Sequence, residues 1–219
     1  MKKSFADGLC FYKLFAIFVA CSIFGSVYEQ TFHLINHYVR TGVVEWTIRQ
    51  SVIYGPFNYV YGVGGVLMIV LLLPLKDNWK KVYGLGCLLG GAIEYFLSLF
   101  QELIFGTISW DYSARLLNID GRTTLPYMLF WGLLCLFAVY KMYPFITSVL
   151  EKIPNDFGIK ISNIFLAFLV LDTCITLVAL GRQEMRRNGI EAYTSVGKIC
   201  DLVYTDEFLG NIYHNAKRR

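Results

Sequence analysis

The sequence predicts an all-α polytopic membrane bundle of about five transmembrane helices, followed by a short amphipathic C-terminal segment. Three observations carry this. The 219 residues are 56% hydrophobic and 16% charged, whereas a soluble domain has about 25% charged residues. Mean hydropathy is +0.49. The apolar residues also gather into runs near the roughly 20 residues a helix needs to cross the hydrocarbon core.

Five such runs occur, at residues 11–27, 59–75, 82–105, 125–143 and 161–180. The first passes through Phe18-Val19-Ala20-Cys21, which loosely resembles a lipoprotein cleavage site. Its apolar character continues through residues 22–28, beyond a signal core of about 7–15 residues, so it reads as an uncleaved span. Residues 1–181 therefore form one transmembrane domain, and residues 182–219 a polar, partly amphipathic tail. The tail reads as two short helices broken near Gly189 and Gly197, with Ile199, Leu202, Val203, Leu209 and Ile212 at loosely helical spacing.

Charge sets the orientation. Segments 1–13, 76–81 and 141–160 hold nine lysines and no arginine, while the opposite loops, 29–49 and 106–122, hold only Arg40, Arg49, Arg115 and Arg122. The positive-inside rule then places the amino terminus in the cytoplasm. Five spans would put the tail outside with Arg182, Arg186, Arg187, Lys198, Lys217, Arg218 and Arg219. Either the tail is translocated despite its charge, or a further short or re-entrant segment exists near residues 53–65, where Gly and Pro are dense. Non-helical backbone at that depth requires protein cover or a wet cavity.

Cys10, Cys21, Cys87, Cys135, Cys174 and Cys200 show no zinc-like or C-x-x-C spacing and read as small core residues. The net charge of +4 is spread over loops and tail. It suits lipid head groups and argues against a nucleic-acid partner. Glu29, His33 and His37 are spaced i, i+4, i+8, but no fourth ligand is evident, so no metal and no cofactor is assigned.

Ionisable residues inside spans are costly and invite a functional reading. Glu94, Ser98, Gln101 and Glu102 share one face of the third span, continued by Cys87, Gly90 and Gly91. Gly86 and Gly90 read as a helix interface. Ser22, Gly25, Ser26 and Glu29 make a similar face on the first span, and Asp172 with Thr176 on the fifth. Glu29, Glu94, Glu102 and Asp172 are the candidates for a substrate or ion path, with pairing to an arginine such as Arg182 as the structural reading of Asp172. In the outer loop, Trp110, Asp111, Tyr112, Asn118 and Arg122 could build a structured cap or hold a polar head group, with Arg122 opposite the face Glu102 would reach. Glu29 to Arg49 and Glu102 to Arg122 are both twenty residues apart. Without similarity between the halves, that echo reads as coincidence.

The order Gly25-Ser26-Val27-Tyr28-Glu29, Gly55-Pro56, Tyr61-Gly62-Val63-Gly64, Glu94-Tyr95 with Glu102, Trp110-Asp111-Tyr112-Ser113, Asn118, Gly121-Arg122 and Tyr204-Thr205-Asp206-Glu207 resembles a bacterial ABC-transporter type IV permease family, nearly end to end. Gln50-Ser51 and Tyr59 stand where members of that family have arginine-glycine and proline, so the loop entering the second span is expected to differ in shape. The resemblance implies a permease subunit in the bacterial cytoplasmic membrane. With no G-x-x-x-x-G-K-[ST] in the sequence, ATP hydrolysis would come from a separate ATPase subunit. Five spans are few for a complete pathway, so a homo-oligomer is expected. Two other functions stay open: a membrane-embedded enzyme acting on a lipid or lipid-linked group, with Asp111 or Glu102 as acid or base, and a non-catalytic partner or sensor whose cap recognises another protein. No catalytic residue is assigned, because no nucleophile arrangement is present.

Overall fold

The computed structural model describes residues 5–213 and 217–218. Four of its helices are long and apolar enough to cross a membrane, and a fifth, shorter apolar helix stands among them. These are α1 (Phe11–Thr41), α2 (Tyr59–Leu72) prolonged by a 3-10 turn (Leu73–Leu75), α3 (Trp79–Phe105), α4 (Leu125–Phe137) running through a π turn (Ala138–Met142) into α5 (Tyr143–Leu150), and α6 (Asn155–Arg187). Each expected run lies in one of them. The all-α helical bundle is therefore the fold, with about five spans.

Local chemistry sets the helix starts. Asn58, Asn78 and Thr124 cap α2, α3 and α4 by accepting from the N–H groups of Val60, Lys81 and Tyr127, which satisfies amides that have no intrahelical partner. At 1.5 Å per residue the 31 residues of α1 extend about 46 Å, so its last turns project beyond a hydrocarbon core of about 30 Å.

Glycines set the closest helix approaches. A methyl group on Gly25 of α1 would come within 2.1 Å of the Tyr61 ring on α2, and one on Gly65 within 2.3 Å of Cys21 Sγ. Between α3 and α4, Gly90 meets Trp131 at 2.2 Å and Gly86 meets Cys135 at 2.7 Å. The interface expected for Gly86 and Gly90 is thus present. With little hydrophobic drive between helices in lipid, such close packing is a main source of association. Ile17, Ile69, Leu72, Trp131 and Cys135 fill the space between these helices.

Of the range 53–65 expected to hold a short or re-entrant segment, residues 53–58 are irregular, as is the chain from 50, and from Tyr59 it is helical; we call 50–58 the re-entrant segment. This stretch of irregular backbone is wedged between α1 and α6. Ser26 Oγ donates to the Arg49 carbonyl (2.7 Å), and Asn58 N–H to the Ser22 carbonyl (3.0 Å). From the other side, Thr176 Oγ1 accepts from Ile53 N–H (3.0 Å) and Asp172 Oδ1 from Tyr54 N–H (3.1 Å). Val52 and Phe57 pack on Leu169 beneath it. Protein groups thus replace the water that exposed backbone would otherwise need.

The tail forms α7 (Ser195–Val203) and α8 (Asp206–Ile212). One expectation is corrected: Gly197 lies in the first turn of α7, where its N–H donates to the capping Thr194 hydroxyl, and the break falls at Tyr204–Thr205, where Thr205 caps α8. Cys200, Leu209 and Ile212 pack against Ala179 and Ile53. Beyond them β4 (Lys217–Arg218) pairs antiparallel with β1 (Thr107–Ile108), which follows α3. A second ladder joins β2 (Asn118–Ile119) to β3 (Thr123–Thr124). The tail therefore sits at the same end of the bundle as loop 106–124, opposite the lysine-bearing turn 76–81. Its arginines are largely neutralised there. Arg182 pairs with Asp201 (2.7 Å), while Arg186 bridges Asp201 (2.5 Å) and Asp206 (2.7 Å). Arg182 is thus paired to Asp201 and not to Asp172.

Candidate functional site: a capped polar chamber

Residues 106–124 fold into a cap over the end of α3. Gly106, with φ +61°, ends the helix by donating its N–H to the Glu102 carbonyl (2.9 Å). Asp111 Oδ1 accepts from the backbone N–H (2.9 Å) and hydroxyl (2.6 Å) of Ser113. Asn118 donates its amide to the Arg115 carbonyl (2.7 Å) and accepts from Gly121 N–H (3.0 Å). Gly121 is required: its φ is +67°, and a Cβ would stand 2.3 Å from Ser113 Oγ and 2.7 Å from Asp111 Oδ1. The Trp110 indole N–H donates to the Arg122 carbonyl (2.8 Å).

These bonds aim the Arg122 side chain down onto α3. It is 7% exposed. Nη1 donates to Ser98 Oγ (3.2 Å), and Nη2 makes a short bond to Glu102 Oε2. The guanidinium also lies over the Tyr95 ring at 5.8 Å, and Tyr95 in turn donates its hydroxyl to Asp120 (2.7 Å). Gln101 ties the same face to β1 and its flank through Thr107 (3.3 Å) and Ser109 (3.0 Å). The polar stripe of α3 is thus the floor on which the cap is built.

Deeper in the bundle stands Glu94, 8% exposed. It accepts from the hydroxyls of Tyr112 (3.1 Å), which reaches in from the cap, and of Thr123 (2.8 Å). The Trp131 indole also faces it. Tyr112 packs on Tyr127 with ring centroids 4.8 Å apart. Burial first, and the Glu94 charge second, push the Tyr112 phenol far above its usual range, so it remains a hydrogen-bond donor. Glu29 enters the same region from α1. Its electrostatic partners are the Arg49 guanidinium and the Tyr61 hydroxyl, and it lies within electrostatic range of both Glu94 and Tyr112. Two carboxylates from two helices, three phenols and an indole thus gather in one polar cluster under the cap. Carboxylate oxygens in such a cluster are acceptors, suited to groups that donate hydrogen bonds or carry positive charge.

Of the expected site residues, Glu94, Glu102, Trp110, Tyr112 and Arg122 are brought together, Glu29 joins them, and Asp111 and Asn118 shape the cap from its exposed side. Asp172 stands apart, under residues 53–54. His33 and His37 are engaged elsewhere, by Thr47 (2.9 Å) and Glu45 (3.1 Å). The twenty-residue echo has physical content after all, since Glu102 is ion-paired with Arg122 and Glu29 interacts with Arg49. Sequence reasoning missed Tyr61, Arg49 and Thr123 as chamber residues. The available signal was Gly25, one turn before Glu29, which leaves room for the Tyr61 ring.

A family model described as "Putative ABC-transporter type IV" matches residues 16–177. The chain belongs to this family. The ABC-transporter type IV match takes in the chamber, the cap, the re-entrant segment and Asp172, and stops short of α7 and α8. No curated protein and no solved structure matches the chain.

Proposed function

We propose that this chain is the membrane permease subunit of a transport system, acting with a separate ATPase and as an oligomer. The observation that carries the reading is the pair of acids under the cap. Glu29 and Glu94, on α1 and α3, lie within electrostatic range of each other, and Tyr112 of the cap loop closes over Glu94. Buried acids at the junction of several helices are the usual mark of a solute or ion pathway. In this reading Glu94 and Glu29 contact the solute. The Arg122–Glu102 pair holds the cap shut, and breaking it opens the chamber at the cap end.

Purification of the tagged protein in mild detergent, with mass spectrometry of its companions, tests this directly. A stoichiometric ATPase is expected, whose turnover in vesicles is abolished by Glu94→Gln without loss of folded protein. Reproducible absence of an ATPase overturns the ABC reading. A second reading, a non-catalytic partner whose cap recognises another protein, is supported by Asp111, Asn118 and Arg122 being bonded within the chain. In that case the same purification yields a protein companion that is not an ATPase, and a cap variant loses it.

A further inference from the structure

A second acid lies outside the chamber. Asp172 is in the middle of α6, within the apolar run 161–180, and is 1% exposed. Its Oδ1 takes the Tyr54 N–H at 3.1 Å and the Thr176 hydroxyl at 3.5 Å, the Ile53 N–H also bears on the carboxyl, and Oδ2 is buried with no hydrogen-bond partner among the described residues. An ionised carboxylate offers about four acceptor sites, and those on Oδ2 find no donor among the described residues.

Among the described residues, Asp172 makes no ion pair, and the groups within electrostatic range of it are phenols: Tyr59 of α2, Tyr204 between α7 and α8, and Tyr213 after α8. Each hydroxyl is already engaged, by Thr173 (3.0 Å), Tyr54 (3.0 Å) and the Ser51 carbonyl (3.3 Å) respectively. On its own helix the next cation, Arg182, is held by Asp201. Its helix neighbours Leu169 and Thr173 line an apolar groove of about 350 Å³ together with Phe15, Phe18 and Tyr59. A buried carboxylate with neither cation nor full hydrogen bonding is strongly disfavoured against its neutral acid.

We propose that Asp172 is a proton-binding site whose neutral acid seats the re-entrant segment 50–58 on α6. The neutral carboxyl keeps Oδ1 as the acceptor for Tyr54 N–H and needs no counter-ion. Removal of the proton leaves a bare charge beneath the segment, which must then lift or admit water. The Tyr54–Tyr204 and Tyr213–Ser51 bonds transmit that movement to the tail. This reading does not depend on transport and stands whether or not the chamber conducts a solute.

The test uses the full-length protein in lipid vesicles with ¹³C-labelled aspartate, followed by infrared difference spectroscopy across pH. A carboxylic-acid C=O band is expected at neutral pH, lost on alkalinisation and absent from Asp172→Asn. The Asn variant keeps an acceptor for Tyr54 N–H. Hydrogen exchange at the Ile53 and Tyr54 amides should therefore stay protected in it at alkaline pH, while the wild type loses at least tenfold protection once intrinsic rates are corrected for. A wild-type spectrum lacking the acid band overturns the proposal. So does a band that disappears on adding sodium at fixed pH with protection retained, which assigns the site to a metal cation. If Asp172→Asn does not fold, labelling of the wild type by dicyclohexylcarbodiimide, which attacks protonated carboxyls from the lipid, takes its place. A pH-dependent adduct on Asp172 supports the site, and adducts elsewhere with Asp172 unmodified refute it.

Discussion

Replacing Arg122 by alanine isolates the contribution of one side chain to the cap, because the Trp110 indole is bonded to the Arg122 backbone carbonyl and keeps its partner in the variant. What disappears is the guanidinium bonded to Glu102 and to Ser98. Removing one member of a buried ion pair costs about 3–5 kcal/mol, mainly because the other charge is left desolvated and alone. The side chains here are 9% and 27% exposed, so Glu102 recovers some hydration and the expected loss lies at the low end, about 3 kcal/mol. Glu102→Gln removes the charge but keeps an acceptor, and should cost less. Combined, the two substitutions should cost at least about 1 kcal/mol less than their sum, since the double variant strands no charge. Equilibrium unfolding in mixed micelles measures all three. Additive effects with each single change under about 0.5 kcal/mol would refute the pair as the clasp of the cap.

Gly90→Ala puts a methyl group 2.2 Å from the Trp131 side chain and should destabilise by about 1–3 kcal/mol; Gly84→Ala, with nothing within 4 Å, should be neutral or stabilising by up to about 1 kcal/mol, and thermal denaturation separates them. Arg182 first, then Arg186, holds the Asp201 carboxyl below its ordinary value of 3.8. A depressed carboxyl contributes stability that is complete above the unfolded value and lost as pH falls through the folded one, so protection of α7 against hydrogen exchange should be flat at neutral pH, fall below pH 3.8, and lose that acid step in Asp201→Asn. Gly121→Ala, which combines positive φ with contacts of 2.3 and 2.7 Å, should unseat the cap and raise proteolytic cleavage between residues 107 and 124 while leaving the helical content by circular dichroism unchanged.

The spans were legible because hydrocarbon demands long apolar runs, and each run became a helix or most of one. The cap was legible for a related reason. Asp111, Asn118 and Gly121 bond within ten residues of one another, so their chemistry is local and turn residues advertise it. Glu102 and Arg122 are only one cap apart and could be matched across it. The partners of Asp172 could not be read in this way. The one that reaches it from another element is the Tyr54 backbone amide, and an N–H leaves no mark in a sequence, whereas an arginine such as Arg182 does. Arg182 instead found Asp201, nineteen residues on, because a tail that folds back over α6 was outside anything the hydrophobic pattern encodes.

The re-entrant segment also constrains the order in which the protein can be built. Its amides at Ile53 and Tyr54 are satisfied by side chains more than a hundred residues later, on a helix that leaves the ribosome well after α1 and α2. When α1 and α2 first enter the bilayer, the stretch between them lacks those partners and must wait in the wet interfacial zone. Biogenesis therefore has a late step, in which a strip of unprotected main chain sinks between two helices already in place. Residues 50–58 therefore stay without their α6 partners until that helix arrives.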